Sequence, residues 1–373
     1  MGRRSCWIVI AALAVSLTIV SLNSKAIVPQ IKGITPLPPP VPKKTSVTRP
    51  ALAWTRPQVV RGIYATGWIA GSSKWFPRLV QFIRATQVNS IVIDIKDDEG
   101  TLSYKSGVDM AKEVGADVAK IKDPRAVMEA LSQNGIWPIA RIVVFKDPFL
   151  ARKKPELAVK SKSGGLWRDR KGMTWVDPNC RQIWKYNVAV AKEAVALGFQ
   201  EIQFDYVRFT SDGPIAECVY PYGDGIPKED VIRNFLAYAR NELKPLGVEV
   251  SADIFGLVTS AEDDLGIGQR LEKVAENVDI VSPMVYPSHY APGSFGLKNP
   301  DLHPYETVLR GLNDARKRLE KTGVVIRPWL QDFSLGNRYG REQVQAQIRA
   351  VHDAGLREWI FWNPSNKYDP SKY

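Results

Sequence analysis

Eight short apolar runs alternate along this chain with longer stretches whose apolar residues recur every three or four positions. The runs are 60–66 (VRGIYAT), 90–96 (SIVIDIK), 137–145 (WPIARIVVF), 201–208 (EIQFDYVR), 249–255 (EVSADIF), 280–287 (IVSPMVYP), 326–332 (IRPWLQD) and 358–363 (EWIFWN). They are rich in Val, Ile, Phe and Trp and too short for helices, so they predict buried strands. The intervening stretches, such as Ile232, Phe235, Leu236, Ala239 and Leu243, or Tyr305, Val308, Leu309, Leu312 and Leu319, bury one face of a helix. Glycines just before the next strand, at Gly135, Gly198, Gly247, Gly323 and Gly355, match left-handed helix C-caps. Strict β-then-α alternation with eight strands predicts an α/β fold, a closed (β/α)8 TIM barrel, rather than an open doubly wound sheet. No glycine-rich phosphate loop follows the first strand. Only ten residues follow Asn363, so a full eighth helix is not expected, and part of segment 48–58 is expected to cover the gap.

Side chains alternate along a strand, so each barrel strand has one inward row. If Asp205 points inward, Gln203 does too, while Ile202 and Phe204 meet the helices. The same parity predicts inward Asp94 and Lys96, Arg141, Ser251 and Asp253, Ser282, Met284 and Tyr286, and Arg327, Trp329 and Gln331. Buried charges must largely neutralise one another. Asp94, Lys96, Arg141 and Arg327 therefore read either as an internal salt-bridge network or as substrate contacts. Asp205 and Asp253 fall toward the C-terminal ends of adjacent strands, where barrel enzymes carry their reacting groups.

Composition narrows the class. With 373 residues, 45% hydrophobic and 24% charged, the chain is globular. The net charge of +12 suggests nucleic acid until it is divided by region. Residues 1–58 hold eight Lys or Arg and no acid; the total of 51 less those eight leaves 43 basic residues against 39 acidic in the rest. No nucleic-acid partner is expected of the folded part. Residues 1–26, two arginines and then an apolar run from Cys6 to Leu22, read as an export signal or a membrane anchor. Residues 27–58 read as a Pro-rich basic linker and 59–373 as the barrel, placed outside the cytoplasm, secreted or anchored to the membrane through the uncleaved N-terminal segment. Cys180 and Cys218 fall near one end of the barrel, so a disulfide is geometrically possible. No metal and no cofactor is expected: no cysteine pair has ligand spacing, and His289, His303 and His352 form no i, i+4 pair. Residues 97–100 (DDEG) read as an acidic turn rather than a calcium loop. The long segment from Lys146 to Asp177 is expected to wall the cleft.

Two nearby carboxyls on an open face suit glycoside hydrolysis, one protonating the leaving oxygen while the other attacks or activates water. Asp205 and Asp253 are the catalytic candidates. Trp68, Asp94, Lys96, Arg141, Arg208, Tyr286, Gln331 and Trp362 are the substrate-binding candidates, with Tyr64, Trp75, Tyr290, Trp329 and Phe333 as further aromatics near strand ends. Flat rings stack on pyranose faces, although aromatics also fill barrel cores.

The stretch from Gly62 to Asn363 resembles a bacterial glycoside-hydrolase family built on a (β/α)8 barrel, once known only as an uncharacterised domain. The matching stretches are RGIYATGW, IVIDIKDDEG, ARIVVFKDP, WVDP, LGFQEIQFDYVRF, SADIFG, SPMVYPSHY and RPWLQDF. Gln200 and Thr210 depart from the family pattern, where Asp and Pro are common. The resemblance implies an exported carbohydrate-active protein with Asp205 as the strongest catalytic candidate and Asp253 as second carboxylate. It also likens Tyr286 to the strand-6 tyrosine of chitinase-type barrels. The expected function is hydrolysis of an extracellular or cell-envelope polysaccharide. The alternative is a non-catalytic glycan-binding or envelope-organising protein, to which the absence of Glu at the mouths of strands 4 to 7 lends weight.

Overall fold

The computed structural model describes residues 52–373. The expected signal or anchor and most of the linker lie outside the described residues. Eight parallel strands close on themselves: β1 Arg61–Ala65, β2 Ser90–Lys96, β3 Trp137–Val143, β4 Glu201–Asp205, β5 Glu249–Phe255, β6 Ile280–Met284, β7 in two pieces, Val325–Ile326 and Trp329–Gln331, and β8 Trp359–Trp362. β8 pairs back onto β1 through Arg61 with Trp359 and Ile63 with Phe361, which completes the (β/α)8 barrel. β7 is split at Arg327–Pro328, and its second piece reaches β6 through Trp329 and Met284.

Helices α1 Phe76–Arg84, α2 Pro124–Gln133, α3 Arg181–Leu197, α4 Lys228–Leu243, α5 Leu271–Ala275, α6 Pro304–Leu319 and α7 Arg341–Asp353 surround the strands. The periodic residues Ile232, Phe235, Leu236, Ala239 and Leu243 of α4 are all buried. Phe235 meets Phe204, on the outward face of β4, at 5.4 Å. Gly198 ends α3 at φ 117°, a left-handed geometry that costs a side-chain-bearing residue energy and costs glycine none.

Strand parity divides the apolar residues into two sets. The larger lies between strands and helices; the smaller fills the barrel itself with Val60, Tyr64, Val92, Trp137, Ile139, Tyr286, Trp329 and Ile360. Gly62 faces this inner set, where a β-carbon would stand 3.2 Å from the Ile360 side chain, tighter than ordinary contact.

The expected cover for the missing helix is corrected. The chain after β8 makes only a 3₁₀ turn, Pro370–Lys372, and this tail itself closes the outer layer. Tyr373 packs against Phe82 of α1 and Phe361 of β8, each at 5.1 Å, and its hydroxyl donates to Asp332. The segment from Leu52 instead closes the N-terminal end of the barrel. There Arg56 bonds Glu249 at 2.8 Å and Glu358 at 3.3 Å, both beside strand beginnings.

Beneath the barrel floor lies a buried ionic network. Arg327 donates to Glu201 at 2.7 and 2.9 Å and to Glu358 at 2.8 Å, and the Ser251 hydroxyl also donates to Glu201. Of the two sequence readings of Arg327, the internal network holds. Removing one member leaves charge buried without its partner, which costs about 3–5 kcal/mol. Arg327→Met is therefore expected to lower unfolding free energy in urea by about that amount, with much of it regained when Glu201→Gln and Glu358→Gln are added. An Arg327→Met loss below about 1 kcal/mol would contradict this.

Candidate active site

The site lies at the C-terminal ends of the strands and begins at Asp205, the last residue of β4. Its Oδ1 accepts the Tyr206 backbone N–H at 2.5 Å. Tyr206 has φ 48°, a left-handed conformation that a bulky side chain rarely adopts. The Asp205 and Tyr206 carbonyls accept from Val144 and Phe145, so the extension of β3 holds this turn in place. Asp205 is thereby presented to the cavity by a strained but well-anchored backbone.

Arg141 of β3 carries the electrostatics. Its Nε and Nη2 donate to Asp205 Oδ2 at 2.9 and 2.5 Å, and its Nη1 donates to Asp94 Oδ1 at 2.6 Å. Asp94 Oδ2 in turn accepts from the Tyr64 hydroxyl. Tyr64 stacks on Trp362 with ring centres 3.9 Å apart, and the Arg141 guanidinium lies 5.3 Å from the Trp362 ring. Burial pushes Asp94 up to about 6 although Arg141 and Tyr64 oppose it. Arg141 loses to burial but gains more from Asp205 and Asp94, so its pKa rises well above the usual value.

Asp253 of β5 sits one register step beyond the Phe204–Ala252 pair, beside Asp205. It is 1% exposed and is not in the cavity wall. The Trp329 indole N–H donates to its Oδ1 at 2.7 Å, while Oδ2 has no partner among the described residues. Burial first, and the nearby Asp205 second, push its pKa well above the usual carboxylate value, although Arg141 and the Trp329 indole oppose this. The two adjacent carboxyls thus differ in environment: Asp205 is clamped by a guanidinium at the cavity wall, and Asp253 is buried against an indole. Tyr286, also raised by burial and then by Asp253 and Asp205, stays a phenol.

A cavity of about 700 Å³ opens over these groups. Asp205, Arg141, Arg208, Tyr286 and Trp362 line it, joined by Trp329 and Tyr290 from the wider aromatic set. The other candidates are placed elsewhere. Asp94 lies beneath Arg141, outside the cavity wall. Lys96 is turned away by a bulge in β2, where the register with β3 shifts between Asp94 and Lys96. One extra residue reverses the parity, and Lys96 faces the helix layer, paired with Asp147 at 2.7 Å and Asn187 at 3.1 Å. Its expected substrate contact is corrected to an internal ion pair. Gln331 is fully buried and ties loops together, accepting from Ser288 N–H and donating to the Phe333 carbonyl, so it supports the site without touching the cavity. Trp68 is 62% exposed on the short helix Gly67–Ala70 and stands outside the cavity wall. Cys180 and Cys218 are free thiols, so the possible disulfide is absent. Asp97 caps its own turn at Thr101 and pairs with Lys120, the behaviour of an acidic turn.

Sequence reasoning missed several wall residues. The long segment after β3 does form a wall, through Lys146, Asp169, Lys171 and Trp175, but only its length signalled that. Tyr206 was visible as a neighbour of Asp205, yet its left-handed backbone had no sequence signal. His289 enters through a 3₁₀ turn, Pro287–His289, that follows β6 and leaves no periodic trace.

Residues 62–368 match the family model described as "Putative glycosyl hydrolase domain". No curated protein matches the chain. A hypothetical protein from Ruminiclostridium thermocellum is 42% identical over 55% of this chain and 98% of its own, with a TM-score of 0.48. The glycoside hydrolase domain of PgaB (BpsB) from Bordetella bronchiseptica is 14% identical, covering 82% of this chain and 94% of that one, with a TM-score of 0.59. Alpha-L-fucosidase isoenzyme 2 from Paenibacillus thiaminolyticus is 16% identical, covering 84% of this chain and 47% of that one, with a TM-score of 0.57. The last two likenesses concern the fold.

Asp94 yields a pH prediction. Its folded pKa of about 6 exceeds the ordinary 3.8, so between those values the native state binds more protons than the unfolded chain. Its contribution to stability is therefore greatest below pH 3.8 and is lost as pH rises through 6, by about 3 kcal/mol at 1.36 kcal/mol per unit. Asp94→Asn has no such titration. Its stability relative to wild type is expected to rise by about that amount between roughly pH 3.5 and 7 in urea melts; a flat difference would show that burial does not shift Asp94.

Proposed function

The chain belongs to the glycosyl hydrolase domain family whose model its residues 62–368 match, and from that premise we propose that it hydrolyses an extracellular or cell-envelope polysaccharide at Asp205. The observation that carries this reading is the position of Asp205. It ends β4, lines the cavity, and is flanked there by Tyr286, Trp329 and Trp362, rings suited to sugar faces. Arg141 holds two N–H donors against one Asp205 oxygen and fixes the direction of the carboxyl. Asp253 takes a different role from the one its sequence position suggested. Buried beside Asp205 and outside the cavity wall, where burial favours its neutral form, it supports Asp205 without meeting the substrate.

The N-terminal apolar run from Cys6 to Leu22, preceded by Arg3 and Arg4, supports export or anchoring, with the barrel outside the cytoplasm. A reporter enzyme active only after export, fused after residue 58, tests this directly. Inactivity of that fusion in intact cells would reject it.

A second reading is glycan binding without turnover. It is favoured by one observation: of the Asp205–Asp253 pair, only Asp205 reaches the cavity. Wild-type protein that binds oligosaccharides yet releases no reducing ends from a broad polysaccharide panel would establish this reading instead.

For the hydrolase, Asp205→Asn is expected to lower kcat by at least about 10²–10⁴-fold while oligosaccharide affinity stays within about threefold. Asp253 does not line the cavity, so the kcat of Asp253→Asn is expected to fall by less than about tenfold, with an altered pH–rate profile. Equal losses in the two variants would mean that Asp253 acts on the substrate directly.

A further inference from the structure

Six lysines and arginines of the described chain are buried: Lys96, Lys120, Arg141, Lys146, Arg208 and Arg327. Five of them pair with carboxylates, Lys96 with Asp147, Lys120 with Asp97, Arg141 with Asp94 and Asp205, Lys146 with Asp98, and Arg327 with Glu201 and Glu358. Arg208 is the exception. Among the described residues no carboxylate lies within ion-pairing distance of it, and its two hydrogen bonds both come from Nη1, to the Phe209 carbonyl at 2.9 Å and the Ser211 hydroxyl at 3.0 Å. Its guanidinium is packed among the rings of Phe255 at 4.5 Å, Trp175 at 4.8 Å and Tyr206 at 5.0 Å.

A buried cation without a counter-charge is costly, and ring contacts offset only part of that cost. Burial accordingly lowers the Arg208 pKa. Asp205, Asp212 and Asp169 attract the guanidinium from beyond ion-pairing distance without offsetting its burial, and none of them bonds it. Asp205 is held by Arg141 and the Tyr206 N–H, and both oxygens of Asp169 are taken, by Lys171 N–H and Met173 N–H on one side and the Trp175 indole on the other. Asp212 also lines the cavity but forms no ion pair with the guanidinium. Arg208 itself lines the cavity, and its Nε and Nη2 have no acceptor among the described residues. Those two N–H groups form the edge of the planar fork that grips an anion with two parallel hydrogen bonds.

We propose that the glycan this cavity receives carries an anionic group, a sugar carboxylate or a phosphate ester, and that Arg208 is the residue that recognises it. The inference rests on the carbohydrate reading above and specifies its substrate class. Five paired cations and one unpaired cation in the cavity wall are what a site completed by an anionic ligand requires. A residue that only pinned the Phe209–Ser211 loop would need Nη1 alone.

The test is equilibrium binding by calorimetry at low salt, with the full chain in detergent and a panel of oligosaccharides, each in three matched forms. These are an oligo-uronate, its neutral methyl ester, and a neutral oligosaccharide bearing one phosphate ester. Wild type is expected to bind a carboxylate or phosphate form at least about tenfold tighter than the neutral form, and whichever anion wins identifies the source. Arg208→Gln should reduce that preference to within about twofold while leaving affinity for the neutral form within about threefold, and Arg208→Lys should retain part of it. Equal wild-type affinity for charged and neutral forms overturns the inference and leaves the glycan reading standing. So does an Arg208→Gln loss that is the same for both forms, which is the mark of a loop pin. Failure to bind any form in the panel sinks the glycan reading and this inference together. If Arg208→Gln does not fold, as judged by its thermal melt, the wild-type comparison of acid with ester decides alone.

Discussion

The active end of this barrel depends on one guanidinium. Arg141 stands between Asp94 and Asp205 and satisfies both, so two carboxylates are held inside a barrel that would otherwise expel them. Each neighbouring feature follows from that clamp. Asp94 draws in the Tyr64 hydroxyl, Tyr64 carries Trp362 on its face, and Trp362 becomes part of the cavity wall. Asp205, held by Arg141 on one oxygen and by the Tyr206 N–H on the other, lines the cavity in a fixed orientation. Asp253 receives no hydrogen bond from Arg141, and burial together with the neighbouring Asp205 outweighs the attraction of that cation and raises its pKa.

The interior is therefore polar at both ends for different reasons. At the floor, Arg327 pairs with both Glu201 and Glu358, and Arg56 from the preceding segment brings a second cation to Glu358. At the mouth, the charges are incompletely matched and face a cavity. Between them sits an apolar plug that includes Trp137, Ile139 and Ile360, and the Gln203 amide donates to Ser282 nearby. The floor arginine meets two carboxylates, although its Nη2 has no partner among the described residues, whereas the arginine at the mouth meets none. That contrast separates Arg327 from Arg208, although both are buried arginines of the same barrel.

The loops add what the strands lack. Lys146 lies over the Tyr206 ring at 4.8 Å and pairs with Asp98, which ties the acidic turn after β2 to the turn after β4. Trp175 meets Tyr206 at 5.8 Å from the far end of the long segment. The strained Tyr206 backbone is thus braced from two loops, as expected of strain kept at a functional site.

Much of this was legible in the chain itself. Eight short apolar runs and helical periodicity between them determined the barrel, because burying strands on both faces and helices on one leaves few other arrangements. Parity put Asp94, Arg141, Asp205 and Asp253 on the inner row, since a strand has only two sides. Three outcomes belonged to tertiary structure alone. The bulge after Asp94 reversed Lys96, because one inserted residue changes the face of every residue beyond it without any mark in composition. That Asp205 reaches the cavity wall while Asp253, side by side with it on the adjacent strand, does not depends on which distant side chains cover which carboxyl. The unpaired state of Arg208 depends on the positions of every acid around it, and charge pairing in a folded barrel is a matter of distances between segments that the order of residues does not contain.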